Sequence, residues 1–324
     1  MRLSARSLLA LCLAAMAVAA PAARADTFSI SQYGKIASTL PWAVAFKKGF
    51  LHQDGLNVTD IASSSGGGTG LRNMMASNLG IGVMGTTTAI AAINQGMDLR
   101  IVMCNADEMG DLTWATLKDS KARSLKDLVG QKVAFTSPRS TTEMILRIAI
   151  ANAGLTGKVQ ILPIGGLGPG LTALAGGAIA ATPLVDPTLT LHPEKYHVLF
   201  KGRDVVPKFT YAVVVATRQY SQQHPDKIRA LVTAYRHAIK YMEQQHEETA
   251  QIYSQVFGVN PDDAKKLLKN YYARGQWSHG EFSKDGLEAM SKGMQLVGLI
   301  NKPVDWSKIV DQSFLPPDQQ RKLW

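Results

Sequence analysis

Hydroxyl and glycine residues gather at four places where an apolar run gives way to a helical pattern. These are Tyr33-Gly34-Lys35-Ile36-Ala37-Ser38-Thr39, Ser63-Ser64-Ser65-Gly66-Gly67-Gly68-Thr69, Gly85-Thr86-Thr87-Thr88 and Ser137-Pro138-Arg139-Ser140-Thr141-Thr142. The N–H groups that open a helix have no partner inside it, and the helix dipole is positive there. Such ends attract anions, and hydroxyls add donors without bulk. Helix capping alone explains any one of these loops. Four of them, each after a strand signal, point to a ligand cleft, because open α/β sheets bind ligands beyond the carboxyl ends of their strands.

The residues expected to touch a ligand are Gly67, Gly68, Thr69, Thr86, Thr87, Ser140 and Thr141. Arg139, and after it Lys35, are the cations expected to face an anion. The guanidinium of Arg139 can fork onto a carboxylate or sulfonate, which a lysine cannot reproduce. Asp186, just before Pro187, is the acid at a comparable place, either a ligand contact or a turn residue. Tyr33 and Trp42 offer aromatic faces, with core packing the alternative for Trp42.

Signals for other chemistry are weak. Gly80-Ile81-Gly82-Val83-Met84-Gly85 spells G-x-G-x-x-G. A dinucleotide loop follows its strand, whereas these glycines interleave with the apolar residues of one. Neither a G-x-S-x-G elbow nor an H-E-x-x-H pair occurs in the chain. Cys12 and Cys104 are the two cysteines. Cys104, beside Ile101, Val102 and Met103, reads as a small buried hydrophobe. No catalytic residue, metal site or cofactor is expected.

The elements that position these loops alternate strand and helix through the first two thirds of the 324 residues, with no repeat of fixed period. Such alternation implies a mostly parallel sheet covered on both faces. Apolar stretches at 112–117 and 211–217 stand between the two halves of this pattern and are expected to be hinge crossovers. Lobe 1 is therefore expected to hold 26–114 and about 213–324, and lobe 2 to hold 115–212. The last third is helical, with a strong helix start at Asn260-Pro261-Asp262-Asp263.

Residues 1–25 read as a secretory signal peptide. Arg2 and Arg6 are basic, 8–20 is a 13-residue apolar run, and Ala23-Arg24-Ala25 is an A-x-A cleavage site. The formal charge of +10 falls to +7 when Arg2, Arg6 and Arg24 leave. A basic exported protein suits an anionic ligand, and no dense basic run suggests nucleic acid.

Three stretches carry a family resemblance: Pro41-Trp-Ala-Val-Ala-Phe-Lys-Lys-Gly-Phe-Leu-His-Gln-Asp-Gly-Leu-Asn-Val58, Asn78-Leu-Gly-Ile-Gly-Val-Met-Gly85 and Leu125-Lys-Asp-Leu-Val-Gly-Gln-Lys-Val-Ala-Phe135. Their order and spacing resemble the NMT1/THI5-like (SsuA/TauA-type) periplasmic substrate-binding proteins of ABC transporters, which include sulfonate, taurine, nitrate and thiamine-precursor binders. The resemblance covers nearly the whole chain after residue 25. It implies a two-lobed, type II-like α/β fold with two hinge crossovers and a helical C-terminal part. It also implies a periplasmic, monomeric receptor that holds a small molecule between its lobes and delivers it to an ABC permease and ATPase. The loops at Tyr33, Gly67 to Thr69, Thr86 to Thr88 and Ser140 to Thr141 match pocket loops of the family. One departure is Gly177-Ala178-Ile179-Ala180-Ala181, where the family usually carries an aspartate.

The implied ligand is a small organic anion, a sulfonate or carboxylate, aromatic ones included. The alternatives are a thiamine-precursor pyrimidine, with Asp186 accepting from a ring amine, or a nitrate-like solute. An enzyme of the pyrimidine synthase type is disfavoured, because those relatives carry a cysteine-rich motif.

Overall fold

The computed structural model describes residues 26–109 and 111–324. The signal peptide expected at 1–25, with Cys12, lies outside the described residues.

The chain opens with β1 (Asp26–Ser31), α1 (Leu40–Lys47), α2 (Phe50–Gln53), β2 (Val58–Ser64), α3 (Gly67–Ala76), β3 (Ile81–Gly85), α4 (Thr86–Asn94) and β4 (Leu99–Ala106). A second run follows: β5 (Thr113–Leu117), β6 (Lys132–Phe135), α5 (Thr141–Asn152), β7 (Gln160–Pro163), α6 (Leu167–Ala175), β8 (Thr182–Leu184), α7 (Thr188–Leu191), β9 (Tyr196–Lys201) and α8 (Gly202–Val205). β10 (Ala212–Thr217) then leads to the helices α9 (Arg218–Gln223), α10 (Pro225–Gln244), α11 (His246–Phe257), α12 (Pro261–Ala273) and α13 (Lys284–Leu296).

The first sheet has the order β2-β1-β3-β10-β4. β1 runs parallel to β2 and β3, and β10 is antiparallel to β3 and β4. In the second run, β5 lies antiparallel between β8 and β9, and β6 pairs with β7 in parallel. A single bridge, Val133 to Ala181, joins β6 to the residue before β8. The second set therefore reads β7-β6-β8-β5-β9, the same topology as the first. Each crossover stretch of the sequence sits in one of the two: β5 in the second, β10 in the first.

The pattern of β1, β3 and β4 explains their place. Phe28, Ile30, Ile81, Val83, Ile101 and Met103 are buried, and helices cover the sheet. α10 shows a helical stripe: Ile228, Leu231, Tyr235, Ile239 and Met242 are buried at spacings of three and four and pack toward α1 and α2. Each such side chain contributes about 1.5–3 kcal/mol by leaving water. Asn260 caps α12 as its sequence predicts, accepting from the Asp263 N–H at 2.9 Å. The sequence reading passes over α11. Its signals were Glu247 and Glu248 in the first turn and Gly258, which ends it at φ 69°. Among the described residues, no helix is long and apolar enough to cross a membrane.

Candidate functional site

Helix beginnings from both sheets meet at one cavity of about 110 Å³. From the first sheet come Ser38 and Thr39 ahead of α1, Gly66 and Gly67 at the start of α3, and Gly85 and Thr88 at the start of α4. From the second come Ser140, Thr141 and Thr142 at the start of α5, and Leu167 at the start of α6. The two sides touch: Thr87 Oγ1 lies 3.4 Å from Thr141 Oγ1. Gly67 is required there, since a Cβ on it would lie 2.1 Å from Thr88 Oγ1.

Sequence dictates these junctions locally. Ser140 caps α5, its Oγ accepting from the Glu143 N–H at 3.2 Å. Thr142 Oγ1 lies 2.8 Å from the hydroxyls of both Thr136 and Ser140, and the Thr136 N–H donates to it at 3.0 Å. Thr86 is fully buried; its N–H donates to the Tyr211 carbonyl at 2.9 Å, and its Oγ1 has no partner within the protein.

The inner cavity has no acidic or basic side chain on its wall. Its polar groups are hydroxyls, the amides of Gln32 and Asn105, and backbone. Its apolar groups are Ile36, Val83, Met84, Met109, Leu112, Leu167, Val185 and Ala212. Asn105 is fully buried and held from behind. Trp42 Nε1 donates to Asn105 Oδ1 at 2.6 Å, and Asn105 Nδ2 donates to the Ser38 carbonyl at 3.3 Å. Burial holds the Tyr211 phenol far above its ordinary range, so it stays neutral and can donate. An outer chamber of about 440 Å³ shares Gln32, Leu167 and Val185 with the inner one. Gln32 has φ 60°, and its Nε2 donates to the Ser65 carbonyl at the boundary.

Of the residues singled out from sequence, Gly67, Ser140 and Thr141 line the inner cavity and Lys35 the outer chamber. Thr86 and Thr87 are buried just behind the inner wall. The others are elsewhere. Trp42 is a core residue, fully buried, with Phe28 and Tyr235 rings 5.1 and 4.7 Å away. Tyr33 is half-buried and outside both chambers, its phenol pushed up to about 12 by burial. Gly68 and Thr69 are exposed, with Thr69 Oγ1 accepting from Arg72 at 2.9 Å. Asp186 accepts from Thr190 Oγ1 at 2.6 Å and its N–H at 3.2 Å, a local turn rather than a lining contact.

Arg139 departs furthest from the expected position. It is exposed and lines neither chamber. Its backbone takes φ 60°, and its N–H donates to Glu143 Oε2 at 2.6 Å. Glu143 in turn pairs with Arg147 at 2.8 Å. The turn needed to present Ser140 and Thr141 to the cavity sends the Arg139 side chain to solvent.

The sequence reading missed Gln32, Asn105 and Tyr211. The signal for Asn105 was an amide closing the apolar strand β4; for Tyr211 it was a phenol opening β10. Neither sits in a hydroxyl-glycine loop.

Comparison with known proteins agrees with this architecture. The model of the family described as NMT1/THI5 like matches residues 37–249. A putative aliphatic sulfonates-binding protein of Bacillus subtilis (strain 168) is 22% identical over 289 residues, 86% of this chain and 84% of that protein. The alkanesulfonate-binding protein SsuA from Xanthomonas axonopodis pv. citri, solved bound to MOPS, superposes with a TM-score of 0.72 at 18% identity, covering 89% of this chain and 98% of that one. The periplasmic nitrate-binding protein NrtA from Synechocystis PCC 6803 gives 0.73 at 15% identity, covering 91% and 90%. With its two matching sheets and helix starts converging between them, the chain belongs to the NMT1/THI5-like family.

Proposed function

We propose that this protein is the extracytoplasmic solute receptor of an ABC importer and binds a small organic monoanion without turning it over. Residues 26–114 with about 213–324 form one lobe, 115–212 the other, and β5 and β10 are the hinge strands. Residues 1–25 direct export, and a permease with its ATPase receives the ligand. The names of the relatives support the class of protein, since they bind sulfonates or nitrate.

One observation carries the ligand reading. Helix N-termini and hydroxyls from both sheets converge on a cavity whose wall bears no acid. The same wall bears no lysine, arginine or histidine, so the groups that touch the ligand's charge are dipoles and neutral donors. One charge suits that arrangement; a second would be desolvated without a countercharge. Eight apolar side chains on the wall favour an organic anion over nitrate. The small inner chamber, about 110 Å³, suits a sulfonate or carboxylate head with a short stub. A longer tail passes Gln32, Leu167 and Val185 into the outer chamber.

Isothermal titration with methanesulfonate, ethanesulfonate, hexanesulfonate, benzoate, nitrate, sulfate and an aminopyrimidine tests this. A micromolar dissociation constant, about −8.2 kcal/mol, is expected for a sulfonate or carboxylate, with sulfate much weaker. Binding of the neutral pyrimidine in preference to every anion overturns the reading.

A further inference from the structure

Three buried polar atoms close to the Tyr211 wall of the cavity make no hydrogen bond within the protein: Asp111 Oδ2, Arg274 Nη2 and Gln276 Nε2. They form one neighbourhood. The Tyr211 phenol feels Asp111, Ser38 and Arg274, and Arg274 Nε donates to Gln276 Oε1 at 2.9 Å. Native interiors leave few polar groups unpaired, so such a nest is completed by something other than the protein. It adjoins the cavity, because Ser38, Leu112 and Tyr211 all line the inner chamber. Both crossovers also meet there: Asp111 stands two residues before β5, and Tyr211 immediately before β10.

The charges around Asp111 come from three directions. Asp186 faces it from beyond β8, Arg274 from the end of α12, and Glu108 from its own loop. Tyr211, Tyr253 and Tyr271 surround it as neutral phenols that feel its charge. Burial first, and Asp186 second, push Asp111 up to about 7, while Arg274 pulls the other way. Near neutral pH the nest therefore exists in two states that differ by one charge.

We propose that Asp111 couples capture of an anion in the inner cavity to uptake of one proton. The proposal rests on reading that cavity as an anion site. The step is simple: a proton from solvent adds to the Asp111 carboxylate, forming one O–H bond, and nothing leaves. The cavity wall has no charge of its own, so an enclosed anion feels the nest through a poorly screening interior. Ionised Asp111 offsets Arg274 and repels the ligand; protonated Asp111 leaves the nest one unit more positive. By reciprocity, the anion favours protonation of Asp111 as much as protonation favours the anion. Affinity then falls as pH rises through the neutral range and levels off at lower pH.

The test is calorimetric titration of the intact protein with ethanesulfonate, whose own charge is constant across this range. Two buffers of different ionisation heat at pH 7.5 should give different observed heats, reporting net proton uptake. The dissociation constant should be about three- to tenfold weaker at pH 8.5 than at pH 6.0. Asp111→Asn should bind with neither dependence. Equal heats in both buffers with a pH-independent dissociation constant overturn the coupling and leave the anion site standing. That measurement on the unsubstituted protein decides even if Asp111→Asn fails to fold. Absence of ethanesulfonate binding at every pH overturns the anion site and the coupling together.

Discussion

The two sheets repeat one topology on different supports. The edge strands β2 and β7 are alike in being largely exposed, but at the opposite edge β4 is buried along most of its length whereas its counterpart β9 is half-exposed. The difference lies in what covers them. α10 packs on α1 and α2, and α11 packs on α1 and on α12, so the first sheet has a thick apolar backing. The second set is covered by its own helices and by α13, which packs on α5, and its parallel strands join its antiparallel ones through a single bridge. A repeated topology thus yields one heavy platform and one light cover. Their helix starts differ in kind too. Gly66-Gly67-Gly68-Thr69-Gly70 opens α3, and Gly166-Leu167-Gly168-Pro169-Gly170 opens α6. The first brings backbone to the cavity at Gly67; the second brings the apolar Leu167.

Substituting the last glycine of each motif should have the largest effect. A Cβ on Gly70 would lie 2.3 Å from Ser31 Oγ, and one on Gly170 2.3 Å from Thr182 Oγ1. Gly70→Val and Gly170→Val should each cost about 2 kcal/mol or more in denaturant unfolding. Loss from Gly70→Val alone would break the packing analogy between the halves.

The buried tryptophans separate support of the cavity from support of the sheet. Trp42 Nε1 holds Asn105 at the cavity wall, whereas Trp114 Nε1 donates to the Ala134 carbonyl at 3.0 Å. Trp42→Phe and Trp114→Phe should each lose about 1 kcal/mol for the missing hydrogen bond. Only Trp42→Phe should weaken ligand binding, by roughly threefold, because it leaves Asn105 unheld. Equal binding in both variants would place Asn105 outside the ligand's reach.

Asp111, between the halves, sharpens the comparison through pH. Below the ordinary carboxylate range both folded and unfolded states hold its proton. From about pH 4 to about 7 the unfolded chain has lost it while the folded protein keeps it, so stability falls as pH rises. Asp111→Asn removes that cost. Its melting temperature should exceed the parent's by several degrees at pH 8 and match it at pH 3.5. A gain of the same size at both pH values would mean that packing, not ionisation, is responsible.

Arg139→Ala should do least. With the side chain in solvent, affinity should change less than twofold and stability by less than about 0.5 kcal/mol. A tenfold loss of affinity would bring the arginine back to the cleft.

Local chemistry alone determined the elements and the kind of site. Alternating apolar runs specify strands, Asn260-Pro261 and Gly258 mark helix ends, and Ser140-Thr141 caps a helix whose start lines the cavity. These are short-range effects, set by hydrogen bonds and dihedrals within a few residues. Tertiary structure decided which candidates meet. Trp42 follows one hydroxyl loop and Arg139 lies inside another, yet one is enclosed by Phe28 and Tyr235 and the other is turned out by a left-handed backbone. Asn105 and Tyr211 reach the cavity because β4 and β10 are neighbours in the first sheet, although 106 positions separate them in the chain. The nest of Asp111, Arg274 and Gln276 depends on the same long-range closure. Its unpaired atoms arise only when the crossover segment, the C-terminal helices and the second sheet exclude water together, which no local pattern encodes.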